Sequence, residues 1–311
     1  MQPEWRKWLS ETLNTAVRFD EPMAAHTALG VGGPAWAYAA PESLSQLRML
    51  VKGAAQRQIP CWVIGSGSNI LVKDRGIPGL VICLHRCLSR IEETGRGRKV
   101  VVSAMAGVRL PVLCGYAQRR GFAGLEFAWG IPGTVGGAVF MNAGTASGAM
   151  ADVVQSVSVL LPGNRIQRLE KEALSFSYRR LSCPVPDWDR GGAIILEASL
   201  GLRPENPGVL REKAVRILRQ RRETQPVSAK SAGSFFKNPV GGKTAGELLD
   251  RAGLKGMTIG GAQISPRHAN FIINLGNAAA ADVLALMETA RQAVLEKFGV
   301  YLETEVKIVG E

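Results

Sequence analysis

The chain has 311 residues, 46% of them apolar and 21% charged, with 38 Lys and Arg against 26 Asp and Glu for a net charge of +12. This is globular composition, long enough for about two domains, without low-complexity tracts or internal repeats. The positive balance favours an anionic partner, yet no basic patch interleaved with aromatics marks a nucleic-acid module, and no apolar run approaches the ~18–20 residues of a membrane span. Five cysteines (Cys61, Cys83, Cys87, Cys114, Cys183) form no CxxC pair and read as reduced thiols of a soluble, cytoplasmic protein. Three scattered histidines (His26, His85, His268) suggest no metal site.

The first 17 residues read as an amphipathic helix. A loop, "HTALGVGGPAW" (26–36), follows, then a helix over 41–58 opened by Pro41. "CWVIG" (61–65) is a buried strand that enters the turn "SGSN", and "ILV" (70–72) leaves it. A strand at 80–84 precedes a hairpin of "SRIEE" and "RKVVVSA". The helix 109–121 stops at Gly121. "GLEFAWGIPGTVGGAVFMNAG" (124–144) is the most glycine-rich part of the chain. A second hairpin runs from 153–161 through "PGNR" to "IQRL", and 192–200 is a further strand. "RPENPG" (203–208) reads as a linker or domain edge. Beyond it lies a basic helix whose apolar residues Leu210, Ala214, Ile217 and Leu218 recur at helical spacing. It is either a solvated amphipathic face or, at its C-terminal end, a hold on an anionic substrate. A helix near 244–252, short strands at 259–273, a final helix at 279–298 striped by Val283, Met287, Ala290, Val294 and Phe298, and a strand at 304–309 complete the chain. Frequent hairpins favour α+β over a doubly wound parallel sheet.

Two glycine clusters carry chemistry. In "VIGSGSNILV" (63–72), Gly65, Ser66, Gly67, Ser68 and Asn69 form either a tight turn or a concavity of N–H groups suited to a pyrophosphate. In "GIPGTVGGAVFMNAG" (130–144), Thr134 starts a short helix whose N–H groups face a phosphate. Gly136 and Gly137 there allow close approach to a flat ring; the bland reading is a helix packed on a sheet. Two such loops in one domain favour a large diphosphate cofactor over an isolated ion. "GVGGPA" (30–35) lacks the spacing of a dinucleotide fingerprint, and "GGKT" (241–244) lacks the first glycine of a phosphate loop.

"SAGSFFKNP" (231–239) places Ser234 among apolar groups. It reads as a turn serine, a proton donor or a nucleophile. Ser234-Phe235-Phe236-Lys237 fits S-x-x-K of penicillin-recognising acyl-enzymes, but no S-D-N occurs and "KTA" (243–245) breaks the KTG pattern. That alternative also leaves both glycine loops unexplained. A non-catalytic module for a nucleotide or RNA is a second rival.

"GSGSNILV", "GLEFAWGIPGTVGGAVFMNAG", "SAGSFFKNP", "AGELLDRAGLKG", "HANFIIN" and "LETEVKIVG" together resemble, in order and spacing from about residue 20 onward, the MurB family of UDP-N-acetylenolpyruvoylglucosamine reductases. The resemblance implies an α+β chain with an FAD-binding domain of the vanillyl-alcohol-oxidase (PCMH-like) type over 1–205, built of two subdomains. A C-terminal α+β substrate-binding domain would span 206–311. It implies non-covalent FAD, with Gly65, Ser66, Gly67, Ser68 and Asn69 in one loop and Ile131, Pro132, Gly133, Thr134, Gly136, Gly137, Asn142, Ala143 and Gly144 in the other. NADPH is then the co-substrate, and UDP-N-acetylglucosamine enolpyruvate is reduced to UDP-N-acetylmuramate for peptidoglycan. Hydride goes from the reduced flavin to the vinyl carbon, and a proton goes to the adjacent carbon. Matched motif by motif, Ser234 donates that proton, Arg179 holds the carboxylate and Glu305 polarises the intermediate. Tyr178, Arg222, Asn238 and Gln263 are further substrate contacts. The family's YRxS reads "YRRLS" here, which displaces the serine to Ser182. The short 178–192 segment is similar to the shorter class, without an inserted tyrosine loop. The expected partners are small molecules, with a monomer and neither nucleic acid nor membrane.

Overall fold

The computed structural model describes residues 2–13, 17–95, 100–186, 188 and 191–311. The chain forms two compact units. One comprises Met1–Phe19, Ala37–Gly65 and Gly79–Arg219; the other comprises Asp20–Trp36, Ser66–Pro78 and Gln220–Glu311. Each has its own apolar core. This division is discontinuous, whereas the sequence suggests a single cut at 205/206. Around that cut there is no open linker: Arg203 and Pro204 pair with Ala123 and Phe122, and the basic helix begins at Pro207.

In the first unit, the strand Cys61–Ile64 pairs in parallel with Ile77–Cys83, in a four-stranded sheet completed by Pro34–Ala39 and Val17–Pro22. Pro34–Ala39 lies partly in the stretch expected as loop; its alanines and Tyr38 are small or flat enough to be buried without alternation. The helix Leu44–Gln56 starts at Ser43, whose hydroxyl accepts from Gln46 N, so Ser43 and not Pro41 is the cap. It buries Leu47, Leu50 and Ala54, and the Trp8 ring of helix Pro3–Leu13 lies against its Gly53. A six-stranded antiparallel sheet holds Ile166–Glu170, Val154–Leu160, Ile194–Pro204, Val100–Met105 and Ile91–Gly95, with Phe122–Ala123 on its margin. Both expected hairpins are in it; the turn 96–99 falls outside the described residues. The helix Leu110–Arg120 ends as expected at Gly121, which takes the left-handed conformation (φ 71°) that an L side chain resists.

In the second unit, Lys230–Ser234, Phe271–Asn274, Ala262–Ile264 and Thr258–Ile259 form an antiparallel sheet. The helix Ala280–Phe298 buries the stripe Val283, Met287, Ala290 and Val294 as its period requires. The Asp74 carboxylate accepts from Ala280 N and Ala281 N, both at 2.8 Å, and so caps that helix. Ile70–Val72 pairs in parallel with Lys307–Val309. Among the described residues no helix is long and apolar enough to cross a membrane.

Candidate active site

In the first unit, Gly65 touches the glycine loop around Thr134. The strand Cys61–Ile64 ends at Gly65, where a β-carbon would stand 2.5 Å from Thr134 Oγ1. Thr134 bridges to Arg109 and stands where the helix Val135–Phe140 starts, as expected, without a side-chain cap hydrogen bond. The orientation of that helix's N–H groups differs from expectation. Val135 N donates to Val108 O and Gly136 N to Ala106 O, because the loop is stitched to the neighbouring strand. Gly136 allows close packing on Ala106; a methyl there would lie 2.9 Å from Ala106 Cβ. Gly137 is open, with Thr134 Oγ1 at 3.7 Å the nearest group a methyl would meet. Ile131 packs on the core, and Gly133 needs its φ of 133°.

The turn 142–144 serves a neighbour. Asn142 is buried, donates to Ser177 O (2.9 Å) and accepts from Ala151 N (3.0 Å). Its carboxamide is therefore engaged within the protein, while Ala143 N donates to Ala138 O. Gly144 O accepts from Arg179 Nη1 at 3.2 Å. Arg179 and Tyr178 form the two-residue turn between strands Ser175–Ser177 and Arg180–Ser182. Arg179 has φ 58°, a left-handed conformation costing about 1–2 kcal/mol for a residue with a β-carbon. Its guanidinium lies 4.9 Å over the half-exposed Tyr178 ring. The displaced Ser182 pairs with Ser175 at the far end of the hairpin.

In the second unit, residues 66–69 form a turn. Gly67 takes φ 62°, and its carbonyl accepts from Ala28 N. Among the described residues no acceptor takes the N–H groups of Ser66, Gly67 or Asn69. Unpaired N–H groups gathered around a left-handed glycine fit a pyrophosphate. Asn69 Nδ2 donates to Glu305 O (3.3 Å), and Lys307 N donates to Asn69 O.

The Ser234 and Glu305 segments are also joined. Glu305 N donates to Phe235 O and Lys237 N to Glu303 O, both at 2.8 Å, around the bridge Phe236–Thr304. Arg291 holds the same junction from the final helix: Nε donates to Leu302 O, and the guanidinium lies over the Phe236 and Tyr301 rings. Ser234 is half-buried, and among the described residues nothing hydrogen-bonds its hydroxyl. Gly233 has φ 81° with no atom within 4 Å of a would-be β-carbon, so its conformation and not crowding calls for glycine. Residues 66–69, Glu305 and Ser234 thus belong to one hydrogen-bonded frame, whereas Arg179 belongs to the other unit.

The remaining expected contacts are dispersed. Asn238 Oδ1 accepts from Ala245 N at the start of helix Ala245–Arg251, and Gln263 Nε2 donates to Gly256 O and Thr258 Oγ1. Arg222 is exposed, its carbonyl accepting from Arg267 Nη1. Its neighbour Arg221 turns inward. Arg221 Nε is buried without a hydrogen-bond partner among the described residues, and burial lowers the pKa of its guanidinium. Sequence reasoning missed Arg221, although it continues the stripe of Ile217 and Leu218 at i+4 and i+3.

Residues 35–170 match the family described as FAD binding domain, and residues 225–309 match UDP-N-acetylenolpyruvoylglucosamine reductase, C-terminal domain. The fold is thus an α+β FAD-binding region followed by a C-terminal α+β region, and the class is that of FAD-containing oxidoreductases. The chain is 48% identical to UDP-N-acetylenolpyruvoylglucosamine reductase of Desulfosudis oleivorans over 100% of both chains. It is 42% identical to that of Heliobacterium modesticaldum over 94% of this chain and 90% of the relative. The crystal structure of the Thermus caldophilus reductase (MurB) superposes with a TM-score of 0.79 at 38% identity, covering 93% of this chain and 97% of that one. The chain belongs to the MurB family, the UDP-N-acetylenolpyruvoylglucosamine reductases.

Proposed function

We propose that this chain reduces UDP-N-acetylglucosamine enolpyruvate to UDP-N-acetylmuramate, with NADPH as reductant, in the cytoplasmic synthesis of peptidoglycan precursors that serve cell shape and division. The observation that carries this reading is full-length identity to the reductases together with the frame that links loop 66–69, Glu305 and Ser234. Bound FAD supplies the hydride. The loops around Gly67 and Gly137 would hold it, since one presents unpaired N–H groups and the other an open backbone surface.

The residues supply charge control and the proton. Ser234 Oγ, with no hydrogen-bond partner among the described residues, gives its proton to the carbon next to the ether oxygen. Phe235 and Phe236, at 0% and 2% exposure, keep water from its base. Arg179, fixed in a strained turn, holds the carboxylate as negative charge builds. Glu305 polarises the same intermediate. Arg221 joins Tyr178, Asn238 and Gln263 as a substrate contact, because a desolvated cation whose Nε has no partner among the described residues favours an anionic group. The region 206–311 carries the substrate-binding work, and the protein acts as a monomer on small molecules.

Stopped-flow flavin spectroscopy tests this. NADPH should bleach the flavin of the purified protein, and the enolpyruvyl substrate should restore it. In Ser234→Ala the first step should persist and the second slow. Equal loss of both removes Ser234 as proton donor, and a protein that takes up no FAD ends the reading altogether.

A further inference from the structure

Ser234 lies where its strand changes partners. Lys230 and Ser231 pair with Asn274 and Ile273, but Ser234 pairs with Phe271, so the Ser234 strand carries one extra residue. Gly233, at φ 81°, takes up this bulge. A bulge reverses which face the following side chains occupy, so the direction of Ser234 depends on what holds the chain beyond it. Past Ser234 the ladder to Phe271–Asn274 ends, and pairing to Glu303 and Glu305 begins.

One side chain spans that change. Asn270, 4% exposed, accepts at Oδ1 from Phe236 N (2.9 Å) and donates from Nδ2 to Phe236 O (2.8 Å). Its own carbonyl accepts from Phe235 N (3.0 Å). Phe236 is 2% exposed, so water cannot replace these bonds. Asn270 N in turn donates to His268 Nδ1 at 3.2 Å.

We propose that Asn270 is a positioning residue for proton transfer: both ends of its carboxamide fix the backbone of Phe236, at its N–H and its C=O, and so set the direction of the Ser234 hydroxyl. This rests on Ser234 as the proton donor. A displacement of about 1 Å at a reacting group costs on the order of 100-fold in rate. Asn270→Ala should therefore slow reoxidation of the reduced flavin by the enolpyruvyl substrate roughly 100-fold, leaving flavin reduction by NADPH and the flavin spectrum unchanged.

Asn270→Asp gives a signature that lost stability would not produce. A carboxylate sets an oxygen against Phe236 O, whereas a protonated carboxyl has one donor and one acceptor, as the carboxamide does. The ratio of variant to wild-type reoxidation rates should rise as pH falls from 8.5 to 5.5. A flat ratio, or equal slowing of both half-reactions, overturns the proposal. Ser234→Ala separates the two layers. If it leaves reoxidation unchanged, the role of Ser234 itself fails. If it slows reoxidation while both Asn270 variants match wild type, only the role of Asn270 fails. The double variant Ser234→Ala with Asn270→Ala should be no slower than Ser234→Ala alone; a further large loss would refute action through Ser234.

Discussion

Gly67→Ala tests the cofactor loop most directly. Gly67 holds φ 62°, a conformation that costs alanine about 1–2 kcal/mol. The new methyl would also overlap the His26 carbonyl oxygen and stand 2.9 Å from Thr27 Cα. Carbon contacts need about 3.5 Å or more, so the loop must shift by roughly half an ångström or further, and forced overpacking adds about 1–3 kcal/mol. The sum, about 2–5 kcal/mol, falls on the shape that gathers the N–H groups of Ser66, Gly67 and Asn69. FAD affinity should therefore drop about 30- to 5000-fold, read by titrating apoprotein with FAD and following flavin fluorescence. Gly233→Ala is the control: φ is 81° but no atom lies within 4 Å, so it should lower the thermal midpoint and leave FAD affinity intact. A Gly67→Ala protein that binds FAD as tightly as wild type would refute the assignment of this loop.

Asp74→Ala removes two hydrogen bonds from the start of helix Ala280–Phe298 and should cost about 1–2 kcal/mol by denaturant unfolding; an unchanged midpoint would dismiss the cap. Burial, with Lys255 adding to it, lowers the pKa of His268 from its ordinary 6.5. The unfolded chain then binds the proton more readily, so stability is full above pH 6.5 and falls as the pH drops below it. His268→Gln should flatten that slope between pH 7.5 and 5.5; equal slopes would exclude His268 as the source. Burial pushes the Cys114 thiol up to about 12. In the native protein at pH 7.5 Cys114 should resist iodoacetamide, and mass spectrometry showing rapid labelling would contradict its burial.

Local chemistry made much of this readable in advance. Gly121 ends its helix because only glycine enters the left-handed region cheaply, and the last helix follows its apolar stripe. A short helix starts at Thr134 as foreseen. The course of Lys230–Ser234 was not readable. Its short, mostly small residues have no period, and it becomes a strand through Phe271–Asn274, some forty positions onward. Asn142 shows a different limit. Its place in "MNAG" marks a ligand loop, but only coordinates show both ends of its amide taken by Ser177 and Ala151. Arg221 and Arg222 look alike in sequence, and about 100° of helical rotation half-buries one and exposes the other.

The parallel pairing of Ile70–Val72 with Lys307–Val309 has a consequence for biosynthesis. Asn69 and Glu305, bonded to each other, stand 236 positions apart in the chain. A ribosome therefore finishes the glycine turn at 65–69 long before it makes the strand that braces it. Until then the turn lacks its partners in 305–309, and contacts of such long range form slowly. Cofactor capture should accordingly follow release of the chain. Arrested nascent chains ending at residue 300 should emerge without flavin, and full-length chains should acquire it.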